Sequence, residues 1–153
     1  MRYNQDMANE IRDLREAAGL SQSELARRSG VAQPNIAAYE SGRRIASPEM
    51  IERIRKATRP LPHESLILNR QKLQELAASF GLINLRIFGS AMSKTDRPDS
   101  DVDLLVSRPQ GTGLLTLAAF AEAAQELLGV EVDVVTDGGL PPDHEIMRTA
   151  VAL

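Results

Sequence analysis

The sequence has no cysteine and no tryptophan, and only two tyrosines and three phenylalanines in 153 residues. Without cysteine there is no disulfide framework, no thiolate metal site and no cysteine nucleophile. Five aromatics (Tyr3, Tyr39, Phe80, Phe88, Phe120) are too few for a stacking platform on single-stranded nucleic acid. No apolar run approaches the roughly 18 residues of a membrane span, and the opening MRYNQDMANEIRD lacks the apolar stretch of a signal peptide. The expectation is a soluble, cytoplasmic chain without a membrane partner. Histidine is scarce too: His63 and His144 read as exposed, and with no histidine base beside it Ser90 is no nucleophile.

What is present divides in two. Residues 1–60 hold 11 Lys/Arg against 8 Asp/Glu, a net of +3, and residues 61–153 hold 7 against 13, a net of -6. A basic front suits a polyanion, and an acidic back suits cations or metal-bridged phosphate. Arg59-Pro60-Leu61-Pro62-His63 marks the seam, because each proline removes a donor and restricts its predecessor. The expected organisation is a first domain over 1–59, a proline-rich linker over 60–64 and a second domain over 65–153.

The first domain reads as short helices. Met7, Ile11, Leu14 and Ala18 recur at helical spacing, and Gly19 stops that helix. Ser21-Gln-Ser-Glu24 is a capping box opening a second helix that buries Leu25 and Ala26. Ser29-Gly30-Val31 turns the chain into a third helix, Gln33 to about Glu40, with Ile36 and Tyr39 inward. Ser47-Pro48 opens a fourth helix with Met50, Ile51, Ile54 and Ala57 on its apolar face.

Two short helices joined by a glycine turn form a helix-turn-helix, whose second helix can enter the major groove. The stretch LSQSELARRSGVAQPNIAAYESGRR resembles the lambda-repressor/Cro-like (XRE) family, with Gln22, Leu25-Ala26, Gly30-Val31, Ile36 and Tyr39-Glu40-x-Gly42 in register. The resemblance implies binding to double-stranded operator DNA as a homodimer, with Gln33 and Pro34 opening the recognition helix. Gln33 is the candidate base reader, since its amide can pair bidentately with adenine. Gln22, Asn35, Arg43 and Arg44 are the candidate phosphate contacts. Ala32 replaces the hydroxylated cap usual in the family, and Ala32, Pro34, Ala37 and Ala38 leave few polar groups on the reading face.

The second domain alternates helix and strand. Leu66, Leu73, Leu76, Ala77 and Phe80 predict one helix ended by Gly81, followed by a strand over 83–88 running into Gly89-Ser90. Further strands are expected over 101–106 and 130–135, with a helix over 111–128 between them and a closing helix from Asp143 to Leu153. The fold class is thus an all-α helix-turn-helix domain followed by a small mixed α/β domain around three short strands.

Acids stand where apolar strands would exclude them. Asp101 and Asp103, two apart on a strand, aim to one side, and clustered carboxylates in such a strand are costly unless a cation bridges them. Hard oxygen ligands of this kind suit magnesium. Asp133 sits equivalently in the third strand; Glu131 shares its face and is the alternative third ligand. The backbone amides of Gly89-Ser90 would offer donors to a phosphate.

Gly89-Ser90, ten residues, then Asp101-x-Asp103 with Asp133 later resembles the DNA polymerase β-like nucleotidyltransferases, and RPDSDVDLLV (97–106) its minimal branch. That resemblance implies two magnesium ions held by Asp101, Asp103 and Asp133, these acids being catalytic, and ATP as substrate with Gly89, Ser90 and Lys94 on its phosphates. Many minimal members carry arginine where this chain has Ser93. Joined to an XRE reader, the pair resembles the antitoxin half of MNT–HEPN toxin–antitoxin operons. The resemblance implies transfer of AMP to a HEPN-type toxin encoded alongside, with repression of the shared operon. Two alternatives are a catalytically silent antitoxin acting by contact and a regulator sensing nucleotide; a drug-modifying transferase is not the expectation, because the sequence shows no extra domain to cradle such a substrate.

Overall fold

The computed structural model describes residues 2–153, with side chains from residue 5 onward, so the side chain of Tyr3 lies outside the described residues. Contacts divide the chain into two units, Met1–Pro60 and Leu61–Leu153. No helix among the described residues is long and apolar enough to cross a membrane.

The first unit is α1 (Arg2–Ala17), α2 (Gln22–Ser29), α3 (Gln33–Glu40) and α4 (Pro48–Ala57). Ser21 caps α2 by accepting the Glu24 N–H at 3.1 Å, and Gly30 ends it in a left-handed conformation. Ser47 caps α4 through the Met50 N–H, with Pro48 in the first turn, where its missing donor is harmless. Ala32 gives α3 no side-chain cap, as its methyl group dictates. Ile11, Leu25, Ile36 and Ile54 are almost wholly buried and form the centre of one apolar cluster.

The second unit begins with α5 (Pro62–Leu68) and α6 (Arg70–Ser79). Two expectations are corrected here. The stretch 60–64 is not all linker: Pro62 opens α5, because a proline at the first helical position loses no intrahelical bond. The single helix expected before Gly81 is two, broken at Asn69, whose side-chain amide turns back to the Ser65 carbonyl at 2.9 Å. Leu66 is buried as expected, but from α5.

Next come β1 (Ile83–Phe88), α7 (Gly89–Ser93), β2 (Val102–Ser107), α8 (Leu114–Leu128), β3 (Val132–Thr136), a 3-10 turn (Asp137–Gly139), α9 (Glu145–Thr149) and β4 (Val151–Ala152). The sheet has four strands in the order β3-β2-β1-β4, with β2 and β3 parallel and the other pairs antiparallel. The expected closing helix is therefore only α9, and the chain end becomes an edge strand on β1 at Arg86 and Ile87. Leu114, the first residue of α8, is 77% exposed. Val102, Leu104 and Val106 of β2 pack into a core with Ile87, Leu73 and Phe120. Alternation then puts Asp103, Leu105 and Ser107 on the opposite face.

Candidate active site and nucleic-acid interface

Strand register assembles the acids. Asp103 lies between Phe88 of β1 and Asp133 of β3, and Asp101 stands one residue before β2. The parallel β2–β3 pairing, made through the α8 crossover, puts acids 30 residues apart side by side. One carboxylate oxygen from each of Asp101, Asp103 and Asp133 lies within 4.8 Å of the others, Asp101 and Asp103 half-buried and Asp133 exposed. Glu131 precedes β3 and stands outside this trio.

The charges repel. Burial, then the neighbouring Asp101 and Asp133, push the Asp103 carboxyl above the usual range. Asp133 is pushed up by a hydrogen bond with Asp101, by burial, and by the charges of Asp101 and Glu131. Among the described residues no cation pairs with any of the three. Clustered oxygen donors without a protein counter-ion are of the kind that could hold a hard divalent cation.

Gly89 touches this trio directly. It has φ +74, and a Cβ there would stand 2.1 Å from Asp103 Oδ2, so the turn out of β1 closes on the acid only because no side chain intervenes. Ser90 is half-buried, and its hydroxyl bonds no described residue. Lys94 ends α7 in the left-handed region (φ +56), exposed and without an ion pair among the described residues. The Ser93 hydroxyl turns back onto the carbonyls of Gly89 (3.3 Å) and Ser90 (3.2 Å). Gly89, Ser90 and Lys94 thus belong to one short segment, α7 and its C-cap, whose first residue meets Asp103.

In the first unit the expected DNA-contacting residues lie at the start of α2 (Gln22), at the start of α3 (Gln33, Pro34, Asn35) and in the segment after α3 (Arg43, Arg44). Gln33 and Pro34 are exposed. The Gln33 amide donates to Gln22 Oε1 at 3.0 Å, while the Gln22 amide donates to Glu40 Oε2 at 2.9 Å. Gln22 thus bridges Glu40 and Gln33. Asn35 Oδ1 accepts from Arg44 Nη1 at 3.0 Å, and the Arg44 guanidinium lies 5.8 Å from the Tyr39 ring centre. Arg43 donates to Ser41.

Comparison with known proteins bears on this geometry. A family model described as Nucleotidyltransferase domain matches residues 70–150. The chain belongs to that family. A model described as Helix-turn-helix matches residues 11–66. A protein from Methanocaldococcus jannaschii, provisionally named a protein adenylyltransferase, is 33% identical over 48% of this chain and 78% of its own. Protein adenylyltransferase MntA from Thermococcus cleftensis is 35% identical over 50% of this chain and 76% of its own. A solved structure, provisionally described as a minimal nucleotidyltransferase, superposes with TM-score 0.55 at 39% identity, covering 60% of this chain and 95% of that one.

Two features of this nucleotidyltransferase escape a reading by periodicity. Glu40 is buried and bound by Arg15 through two bonds of 2.7 and 3.0 Å. Its position beside Ile36 and Tyr39 on the inward face of α3 is the signal that could have found it. His63, expected to be exposed, is mostly covered and bonded to Asp96, a residue 33 positions away that nothing local marks. His144, half-buried, caps α9 by accepting the Ile146 N–H.

The raised Asp103 carboxyl carries a stability consequence. The folded chain holds that proton more tightly than the unfolded chain, so stability is lost as pH rises above the ordinary value of 3.8 and stays lost at neutral pH. Asp103→Asn is accordingly expected to raise Tm at pH 7 in divalent-free buffer by about 2–4 °C. Manganese should then raise the Tm of the unsubstituted protein but not of Asp103→Asn. Calorimetry with and without the ion checks both; equal Tm values without metal would refute the repulsion.

Proposed function

We propose that the second unit transfers AMP from ATP to a hydroxyl of a partner protein, a HEPN-type toxin encoded beside it, and so silences that toxin in the cytoplasm. The observation that carries this reading is the gathering of Asp101, Asp103 and Asp133 against Gly89. That the matched relatives are named protein adenylyltransferases supports it. In the reaction the acceptor oxygen attacks the α-phosphorus, a new P–O bond forms, the bond to the bridging oxygen breaks, and pyrophosphate leaves. Two magnesium ions, when bound, stabilise the attacking and leaving oxygens. Asp101 and Asp103 are the residues that hold them. Asp133 completes the site and takes the acceptor's proton at its carboxylate, a role that its raised proton affinity suits. Gly89, Ser90 and Lys94 hold the phosphate tail; the Ser90 hydroxyl and Lys94 ammonium have bonding capacity to spare.

The division of labour follows the seam, DNA reading by residues 1–59 and transfer by 65–153. Gln33, oriented through Gln22, reads a base, and Pro34, Asn35, Arg43 and Arg44 set the register on the backbone of the protein's own operator. A homodimer matches the two-fold symmetry such sites have.

Purified protein, with and without its operon neighbour, is to be incubated with magnesium and ATP labelled on the α-phosphate, followed by intact mass measurement. Label on the neighbour is expected, falling at least about a thousandfold in Asp101→Ala/Asp103→Ala, as removal of the metal clamp implies. A contact-only antitoxin is the second reading. It is favoured by Ser93, whose hydroxyl is spent on its own helix where many minimal relatives place arginine. Neutralisation of the unlabelled neighbour by both versions would establish it and remove the catalytic claim.

A further inference from the structure

We infer that His63 and Asp96 are a positioning pair that holds the loop between α7 and β2, a role that rests on reading this loop as part of the transferase site. The loop runs from Lys94 to Asp101, joining the candidate phosphate contacts to the first candidate metal ligand. Thr95, Arg97 and Asp99 along it are exposed, yet the Asp96 side chain is fully buried. A carboxylate removed from water needs donors. Asp96 finds two on one residue: its Oδ2 accepts the His63 backbone N–H at 2.8 Å, and its Oδ1 lies 2.7 Å from His63 Nδ1. A carboxylate offers only lone pairs, so Nδ1 carries the proton of that bond.

The anchor itself is firm. Ser65 donates to the Leu128 carbonyl at 2.6 Å, and Leu66 is buried in the core, so α5 is bound to the end of α8. Within the first turn of α5, Glu64 takes the Leu61 N–H, Pro62 has none, and Asp96 takes that of His63. From Asp96 the restraint passes both ways. Lys94 is two residues behind it, in a left-handed conformation an unrestrained lysine leaves readily. Ahead of it, Arg97 and Ser100 close a tight turn through two bonds of 2.9 Å and deliver Asp101 to the trio. Neither His63 nor Asp96 belongs to that trio, so the pair acts through the loop.

The test uses the full chain with His63→Asn and His63→Gln. The asparagine amide nitrogen stands where Nδ1 does, one bond beyond Cγ, and can still donate to Asp96; the glutamine amide reaches too far. Trypsin cutting at Lys94–Thr95 under native conditions reports loop order without requiring catalysis, and cutting at Lys72–Leu73 inside α6 reports global opening. His63→Gln is expected to be cut at Lys94–Thr95 about tenfold faster and to raise the KM for ATP about tenfold, with kcat within about threefold, the scale typical of losing an outer support. His63→Asn should stay within about twofold of the unsubstituted protein in both. Equal cutting of the two variants, equal acceleration at Lys72–Leu73, or a fall in kcat at constant KM would overturn the pair's role. If no transfer is detectable with any protein, adenylyl transfer has failed as a reading, and the cutting ratio alone still decides the pair.

Discussion

Gly89→Ala is expected to reduce AMP transfer by about a hundredfold or more, through displacement of a neighbouring carboxylate rather than loss of any side chain. Two effects coincide at this position. A residue other than glycine at φ +74 costs roughly 1–2 kcal/mol. The added Cβ also meets Asp103 Oδ2 at 2.1 Å, where ordinary contact begins beyond 3.4 Å, so the carboxylate must retreat by more than an ångström. On the proposed metal roles, a carboxylate displaced that far no longer shares a cation with Asp101 and Asp133. Gly81 supplies the control. Its φ is +72, but nothing lies within 4 Å of an added Cβ. Gly81→Ala should therefore show a similar loss of thermal stability with transfer retained. Tm, manganese affinity and transfer rate measured on both variants separate strain from displacement. Retained activity in Gly89→Ala would mean that Asp103 can be reseated and that the contact is not a requirement.

That contact was only half legible in the sequence. A strand period of two put Asp101 and Asp103 on one side, and apolar neighbours made their presence conspicuous; parallel pairing then supplied Asp133 in register. Glycine before serine marked the turn, but not that Asp103 fills the space a side chain would take. Elements at chain ends and seams were read less well for a shared reason. Val151-Ala-Leu is apolar enough for helix or strand, and only the free edge of β1 decides between them. Pro62 breaks a preceding helix and starts a following one equally well, and the seam hid the second property. His63 and Asp96 lie far apart in sequence, so no periodicity relates them.

The largest stability effect is expected in the first unit, at Glu40. Its side chain is 3% exposed and that of Arg15 13%, so removing the carboxylate strips two bonds from a nearly buried guanidinium and leaves it only the Leu20 carbonyl and the exposed Glu16. Such a loss costs about 3–5 kcal/mol, well above that of a surface ion pair. Arg12 bonds the Glu40 carbonyl at 2.8 Å and Gln22 the carboxylate, so Glu40→Ala also frees the amide that orients Gln33. The expected result is early unfolding of the helical unit and loss of operator binding, with AMP transfer by the second unit intact. Circular dichroism melts, a gel shift on the protein's own promoter and the transfer assay read the three separately. Glu40→Gln keeps an acceptor and should fall between. Burial works against the charged form of Glu40, but hydrogen bonds from Arg15 and Gln22 and the charges of Arg15 and Arg12 outweigh it and hold the carboxyl low. Because the folded unit binds this proton more weakly than the unfolded chain, the stabilisation is complete above the ordinary value of 4.5 and drains as pH falls below it. The helical unit of the unsubstituted protein should therefore lose stability in acid more steeply than that of Glu40→Gln. Parallel acid titrations of the two would show the pair to be stabilising only if their difference closes as pH falls.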